Sequence, residues 1–411
     1  MKSRLLVAGM VIDALGSGMT APFILIVGHT LVGLSLPVTG LAAAVGALVG
    51  IVGGPLAGAA VDRFGPARTV VAANLICAAG NLGLLTAHGP IQFGIASGVC
   101  AFAVRAFFAA FAPLVAALSE PRDREKWFGL LRGARNIGLA AGSGLASLAM
   151  LAGERTGLRL ILISDATSYL IAAVLVTLAA RTALTTWGPP TRTTIGYAAA
   201  LADRGNVVLA LLNVCCTVVA STALLALPLY VLDRFPGELW LPGALTAVFS
   251  TVLTLMVAVA PRLSAGRWRL HILAFCAALW AVSAVVFTLA GLPRPPAGLA
   301  LLFLAAVLLG LAEAIYAPTA DALPLYLAPP GQGGRYSALH QLAWGVASVV
   351  SPLLAAGLSA IGPATVWIVL ATVALGTAAA YLVSGPHLGR RAGRAGSTEN
   401  DRVTDSAAAP G

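Results

Sequence analysis

The chain has 411 residues, of which 59% are hydrophobic and only 10% are charged. Soluble domains carry about 25% charged residues, so the composition excludes a soluble globular protein and indicates a polytopic membrane protein. The formal net charge of +10 would favour a nucleic-acid partner in a soluble protein, but here it indicates loop charge that faces anionic membrane lipid.

The apolar runs, divided in chain order at proline, glycine and charged residues, predict twelve membrane-spanning helices. A helix needs roughly 20 apolar residues to cross a bilayer, and the runs reach about that length. The first run follows Lys2 and Arg4 and is too long for the apolar core of a cleavable signal peptide, so we expect it to be the first span. No run shows strand alternation, so the predicted fold class is all-α. The predicted spans are residues 5–28, 39–60, 67–87, 91–118, 127–152, 158–180, 207–231, 241–263, 269–291, 297–320, 336–360 and 363–384.

Basic residues concentrate at both termini and in alternate connections between these spans. The intervening connections hold only Arg155, Arg159, Arg234 and Arg294. The positive-inside rule assigns the basic set to the cytoplasm. We therefore expect a multi-pass protein of the plasma membrane with both termini in the cytoplasm. The basic residues counted with the connection after the fourth span are Arg122, Arg124, Lys126, Arg132 and Arg135.

The longest polar interruption between spans, residues 181–206, predicts a division into two halves of six helices. The N-terminal half would comprise residues 1–180 and the C-terminal half residues 207–385, with 181–206 as a cytoplasmic central loop. Residues 386–411 lack apolar periodicity and are expected to form a disordered cytoplasmic tail.

The two halves show a short similarity in parallel register. The sequence FAPLVAALSEP at 111–121 resembles YAPTADALPLYLAP at 316–329, and each ends a predicted span of its half. Two parallel six-helix halves are typical of a duplicated transporter whose substrate path runs between the halves.

Three charged residues, Asp13, Arg105 and Glu313, lie inside apolar runs. A charge near the bilayer centre costs about 2.5–3.5 kcal/mol on insertion scales, so such residues usually belong to a substrate or proton pathway. We predict that the two acids exchange protons or bind substrate, with Arg105 as their electrostatic partner. The alternatives are a structural hydrogen bond for each acid and a structural arginine at Arg105. Asp165 lies close to the outer end of the sixth span, where we expect it to be solvated.

The second span carries Gly46, Gly50, Gly54 and Gly58 at a strict four-residue interval. This spacing places glycine along one helix face, so another helix backbone can approach closely. We predict helix packing at this face and no ligand contact.

The connection between the second and third spans reads GAAVDRFGPAR. Its glycines, acid, aromatic and basic residues resemble the loop signature of the major facilitator superfamily, although Pro66 and Ala67 replace residues that are usually basic. A carboxylate here can cap a helix N-terminus, whereas the simplest alternative is an ordinary Asp-Arg turn. The residues that match are Gly58, Asp62, Arg63, Phe64, Gly65 and Arg68.

The resemblance implies roles for several residues. Asp62, with Arg63 and Arg68, would latch the cytoplasmic face in the outward-open state, beside the eleventh helix. Arg105 is similar to the arginine of a fourth-helix motif linked to proton-driven transport, although the usual Gln-Gly does not follow it. In the fifth span the glycines resemble those of drug–proton antiporters, with Ser143 in place of the usual proline. These glycines are Gly138, Gly142 and Gly144.

We therefore expect a monomeric secondary transporter that exports a small amphipathic or drug-like molecule in exchange for protons. No cofactor is expected, since the proton gradient would supply the energy, and the partners would be the substrate, protons and membrane lipid, without nucleic acid. The five cysteines lie in apolar runs without metal-type spacing to histidine, and a P-loop is absent. The alternatives are a proton-coupled importer or facilitator on the same fold, a membrane scaffold and a membrane enzyme. The sequence leaves the substrate open.

Overall fold

The structure, a computed structural model, describes residues 2–118, 124–180, 201–256, 259–292, 297–328 and 333–392. These residues are almost entirely helical. The helices are α1 (Lys2–Thr20), α2 (Leu36–Gly50), α3 (Gly53–Phe64), α4 (Pro66–Leu85), α5 (Pro90–Leu118), α6 (Arg124–Met150), α7 (Glu154–Ala180), α8 (Arg204–Arg234), α9 (Leu241–Met256), α10 (Ala260–Ser264), α11 (Arg269–Ala290), α12 (Ala297–Leu327), α13 (Gly333–Ile361) and α14 (Thr365–Ala392).

The prediction of an all-α, multi-span membrane protein is confirmed. Within the described ranges, nine helical segments are long and apolar enough to cross a membrane, and α2 and α9 are shorter apolar helices. The remaining long helix, α6, is the one that carries the charged sequence REKWFGLLRGAR. Together these helices match the twelve apolar runs of the sequence.

Three of the predicted spans are irregular. After α1 the chain continues through a 3₁₀ turn (Ala21–Phe23) and a π turn (Val27–Leu31), because Pro22 has no N–H to continue the ladder of helical hydrogen bonds. The second span is divided into α2 and α3, next to the glycine pair at 53 and 54, and glycine pairs are a common cause of such breaks. The eighth span is divided into α9 and α10.

The structure also changes one expectation about the C-terminus. Helix α14 extends to Ala392, so residues 386–392 of the tail that was expected to be disordered are helical. The rest of the tail and most of the central loop lie outside the described residues.

The chain forms two compact units. The first contains Met1–Thr193, Thr222–Thr254 and Ser348–Val366, and the second contains Thr194–Ser221, Leu255–Ala347 and Trp367–Gly411. In the first unit, α1 packs against α6 and α7, while α5 packs against α2, α3 and α4. In the second unit, α11 packs against α12. The division into halves at residues 181–206 stays a prediction.

An apolar core fills one end of the first unit. It joins Met10 of α1, Val61 of α3, Phe107 of α5 and Leu131 of α6, all of them buried. Phe107 also stacks on Phe111, with ring centroids 5.9 Å apart. Since Met10 is one turn of α1 before Asp13, this core borders the polar residues described below.

Glycines allow close helix contacts in the first unit. A Cβ built on Gly138 would lie 2.5 Å from the Val11 carbonyl oxygen, and one on Gly142 would overlap the Leu15 carbonyl. Only residues without a Cβ allow α1 and α6 to approach this closely.

The glycine stripe of the second span makes close contacts over part of its length. A Cβ on Gly46 would lie 2.7 Å from the Gly94 carbonyl oxygen, and one on Gly50 would lie 2.5 Å from the Ala101 Cβ. A Cβ on Gly54 or Gly58 would have no neighbouring atom within 4 Å among the described residues. The first two glycines therefore pack against α5, and the last two border open space.

Candidate functional site

A polar stripe runs along one face of α1. Asp13, Ser17 and Thr20 are spaced four and three residues apart, so they share the face that is turned toward α6 and α7. Asp13 is 3% exposed and Thr20 is 7% exposed. The stripe therefore lies in the interior of the first unit, where charged groups require partners.

The Asp13 carboxylate forms an ion pair with an arginine of α6. The Arg135 Nη1 lies 3.3 Å from the Asp13 Oδ2, and the Arg135 guanidinium lies over the ring of Phe108 with its Cζ 4.9 Å from the ring centroid. The side chains are 23% exposed for Arg135 and 5% exposed for Asp13. Helices α1, α5 and α6 thus meet at one salt bridge.

Two expectations from the sequence are wrong at this point. Arg135 was counted with the basic connection after the fourth span, but it lies about three turns inside α6 and neutralises a buried acid. The sequence predicts Arg105 as the electrostatic partner of both Asp13 and Glu313, but the cation paired with Asp13 is Arg135. The reason is the close packing of α1 on α6, which brings these two faces together.

A second buried acid, Asp165 of α7, lies close to the same stripe. It is 2% exposed, and the Asn81 Nδ2 of α4 donates to its Oδ2 at 2.9 Å. The expectation of a solvated residue near a helix end is therefore wrong, because α1 and α4 cover this position. A Cβ on Gly16 would overlap both the Asp165 Oδ1 and the Ser168 Oγ, so α1 packs directly on the acid.

Hydroxyl and thiol groups lie beside each of the two acids. The Ser17 Oγ donates to the Asp13 main-chain carbonyl oxygen at 3.0 Å and lies 3.0 Å from the Tyr169 hydroxyl. The Cys100 Sγ lies 4.0 Å from the Oδ1 of Asn81, which binds Asp165. These two sets of contacts involve α1, α4, α5 and α7 in the interior of the first unit. Their signal in the sequence was faint, because Asn81 and Tyr169 are single polar residues within apolar runs.

The other two residues of the predicted coupling site lie elsewhere. Arg105 is half-buried in α5, and its Nη2 donates to the Ser348 Oγ at 3.1 Å within the first unit. Glu313 is half-buried in α12 and belongs to the second unit. Of the three predicted residues, only Asp13 belongs to the polar stripe of α1.

The second unit contains a polar network that the sequence pattern does not indicate. The Asn213 Nδ2 of α8 donates to the His340 carbonyl oxygen at 3.0 Å, and the Tyr316 hydroxyl donates to the Asn213 Oδ1. The His340 Nε2 lies 3.2 Å from the Asn206 Oδ1. Tyr316 is one turn beyond Glu313, so α12 carries both residues on one face.

The loop that resembles the family signature forms the turn between α3 and α4. Gly65 has a φ of 84°, which non-glycine residues rarely adopt, and its carbonyl oxygen accepts a bond from the Thr69 Oγ1 at 3.0 Å. Arg63 and Arg68 are exposed, with the Arg63 guanidinium 5.2 Å from the Phe64 ring centroid. The side chain of Asp62 lies outside the described residues, so its role as a latch stays a prediction.

A cavity of about 350 Å³ lies in the first unit beyond the end of α1. It is lined by residues that include His29, Thr30, Glu154, Asp233 and Ser359. The Thr30 Oγ1 donates to the Glu154 Oε1 at 2.7 Å, which ties the turns after α1 to the start of α7. The polar lining can accommodate a hydrated or partly charged molecule.

Solved structures of transporters share this fold. A mutant of the nucleoside transporter NupG superposes with a TM-score of 0.77 at 14% identity, over 93% of this chain and 99% of that chain. The peptide transporter POT in complex with sulfate gives 0.77 at 15% identity, over 96% of each chain. Tetrameric PepTSo2 gives 0.71 at 16% identity, over 95% of this chain and 99% of that chain. At these identities the likeness shows the fold.

The sequence itself carries the family assignment. No curated protein matches the chain. The sequence profile of the Major Facilitator Superfamily matches residues 6–270, which is more than half of the chain. The chain therefore belongs to the Major Facilitator Superfamily, and it is a membrane transporter and not an enzyme.

Proposed function

We propose that this transporter exports a small amphipathic or drug-like molecule in exchange for protons, by alternating access. The observation that carries the proposal is the set of ionisable groups inside the first unit: the Asp13–Arg135 pair at 3.3 Å and the buried Asp165 of α7. Ionisable groups within membrane spans cost several kcal/mol and are typical of proton and substrate pathways.

The ion pair supports coupling because it can exist in two states. While Asp13 is ionised, Arg135 holds it and ties α1 to α6. When Asp13 takes up a proton, the attraction is lost, and Arg135 becomes free to bind another anionic or polar group. A change of protonation can thus alter the contact between two helices, which is the requirement for coupling a proton to a conformational change.

Glu313 and Arg105 complete the proposed machinery. Glu313 would serve as the proton or substrate acid of α12, next to the turn that carries Tyr316. Arg105 would offer a cation to the substrate or to a carboxylate, from the middle of α5. Its Nη2 donates to the Ser348 hydroxyl at 3.1 Å, which holds the guanidinium in the interior of the first unit.

Two contacts within the first unit support a gate. A Cβ on Gly40 of α2 would lie 2.6 Å from the Pro352 carbonyl oxygen of α13, and one on Gly243 of α9 would lie 2.5 Å from the Ser147 Oγ of α6. If the termini are cytoplasmic, these contacts are at the outer ends of the helices. We propose that they close the outer face, whereas Asp62 latches the inner face in the opposite state.

Export is favoured over import by the glycines of α6. Their pattern resembles that of drug–proton antiporters, and Gly138 and Gly142 pack against the α1 backbone beside Asp13. A close glycine contact between α1 and α6 would let the helices shift without rotamer changes. The transporters of similar fold are named for nucleosides and for peptides, so the fold alone leaves the substrate open.

The proposal places a monomer in the plasma membrane with both termini in the cytoplasm. It can be tested by a thermal-shift screen of metabolites and antibiotics, followed by transport of the best stabilising compound in everted membrane vesicles. We expect the vesicles to accumulate the compound against its own concentration gradient, and we expect a protonophore to abolish this accumulation. Accumulation of the compound in right-side-out vesicles under an inward proton gradient would favour the importer. Uptake that stops when the compound has equal concentrations on both sides of the membrane would favour a facilitator.

A further inference from the structure

We infer that the carboxyl of Asp165 holds a proton in the conformation of this structure, and that it is a proton-carrying group of the transporter. The first part concerns the protein at rest and is independent of transport. The second part deepens the proposed proton coupling and rests on it.

The bonding of Asp165 is the first observation. Its Oδ2 accepts one bond, from the Asn81 amide at 2.9 Å, and its Oδ1 has no hydrogen-bond partner in the described part of the chain. The Ser168 hydroxyl beside it donates to the main-chain carbonyl of Asp165 at 2.8 Å. An ionised carboxylate that is 2% exposed would therefore have only neutral groups near it among the described residues, namely the Asn81 amide and the Thr20 and Ser168 hydroxyls, and these replace its hydration poorly without a counter-ion.

The difference between the two acids of the first unit is the second observation. Asp13 has Arg135 as its counter-ion, at 3.3 Å, whereas no ion pair to Asp165 occurs within the described residues. Asp165 packs against Gly16, which is three residues, or about 4.5 Å of helix rise, beyond Asp13 on α1. The Asp13 carboxylate acts electrostatically on Asp165, and its negative charge disfavours a second one there, so a proton on the unpaired acid is the arrangement that balances the charge.

The space around the acid favours a proton over a metal cation. The Gly16 backbone lies so close to the Asp165 Oδ1 and the Ser168 Oγ that even a Cβ would overlap both atoms. A sodium or larger cation requires several oxygen ligands around it, and the α1 backbone occupies that position. A proton needs only one acceptor. The Thr20 hydroxyl, on the same face of α1, lies beside the Asp165 carboxyl and can serve as that acceptor.

The proton balance is simple. Loading forms one O–H bond on the carboxyl, with the proton taken from water. Release breaks that bond, the carboxylate keeps the electron pair, and the proton returns to water. The acid is buried between α7, α1 and α4, so its exchange with water requires a movement of these helices, and release of the proton would be linked to that movement.

Infrared difference spectroscopy of the purified protein, without any substrate, tests the inference. At about pH 7 exposed carboxyls are ionised, so a protonated carboxyl C=O band reports buried acids. We expect Asp165→Asn to remove a band that is present in the wild type. The matched control is Asp233→Asn, whose side chain is 60% exposed and whose removal should leave the band unchanged. An unchanged band in Asp165→Asn would overturn the inference.

A second measurement on the wild-type protein covers the case in which Asp165→Asn does not fold. Growing the wild-type protein with aspartate that carries ¹³C in its side-chain carboxyl leaves the fold unchanged and lowers the frequency of a protonated aspartate C=O band. We expect the buried-carboxyl band to shift to lower frequency, and an unshifted band would count against the inference. Loss of the infrared band when sodium replaces choline at constant pH would identify a cation site and would also overturn the inference.

The proposed function can fail separately. Transport by the wild-type protein that does not respond to a proton gradient would reject the proposed function alone, since the band is measured without transport.

Discussion

The Asp13 carboxylate and the Arg135 guanidinium are 3.3 Å apart, although 122 residues separate them in the chain. The contact joins α1 and α6 inside the polar interior of the first unit. Removal of either residue leaves the charge of the other without a counter-ion. Variants of this pair therefore test the site directly.

Replacing Arg135 with alanine should destabilise the protein. Breaking a buried pair by removal of one partner costs about 3–5 kcal/mol, because an uncompensated charge is left behind, and the 23% exposure of Arg135 places the loss toward the lower end. The double variant Arg135→Ala/Asp13→Asn should recover part of the loss, since the orphaned charge is then absent. Thermal unfolding in detergent measures both effects.

The control for this pair is Arg63→Ala. Arg63 is exposed and its described contact is the Phe64 ring at 5.2 Å, so its removal should change the unfolding temperature little. If Arg135→Ala is as stable as Arg63→Ala, or if the double variant is no better than the single one, the ion pair contributes nothing to stability.

The glycine contact between α1 and α6 predicts a difference between two neighbouring positions. Gly142→Ala would drive a Cβ into the Leu15 carbonyl and force the helices apart, with a loss of about 1–3 kcal/mol. Gly144→Ala meets open space on the same helix and should be neutral or stabilising by up to about 1 kcal/mol, through helix propensity. Equal unfolding temperatures for the two variants would contradict the packing argument.

The sequence predicted the helices well because their signal is local. Apolar runs of bilayer length determine where a span begins and ends, and the long helices agree with them. The pairing of Asp13 with Arg135 and the burial of Asp165 depend on which helix faces meet. That arrangement comes from glycines such as Gly16 and Gly142, whose contacts appear only once α1 is packed on its neighbours.

The orientation in the membrane can be tested by cysteine labelling. Single cysteines placed in residues 181–200, or near either terminus, should resist membrane-impermeant reagents in intact cells, because positive-inside loops are cytoplasmic. The five native cysteines are free thiols and must be replaced first. A cysteine at Gly237, between α8 and α9, is the matched position that should react. Strong labelling of the central loop would reverse the proposed topology.

The latch prediction concerns Asp62. Asp62→Asn removes a charge that would face a helix N-terminus, an interaction worth about 0.3–1 kcal/mol. The conformational balance should shift away from the outward-open state, with transport impaired more than ligand affinity. Spin-label distances between the ends of α3 and α13 measure the shift. If Asp62→Asn leaves these distances unchanged, Asp62 is an ordinary turn residue.

The coupling residues are tested by neutral amides. Asp13→Asn and Glu313→Gln keep size and hydrogen bonding but cannot release a proton, so either change should abolish proton-driven accumulation and leave exchange partly intact. Arg105→Ala should also impair transport, because the middle of α5 would lose its cation.

A pH-sensitive dye in weak buffer measures the protons that purified protein takes up or releases when a stabilising ligand is added. Asp401→Asn, at an acid of the predicted cytoplasmic tail, serves as the control. If the Asp13→Asn/Glu313→Gln double variant exchanges protons as the wild type does, neither acid carries the proton, and Asp165 remains as the buried acid to be tested by the same measurement.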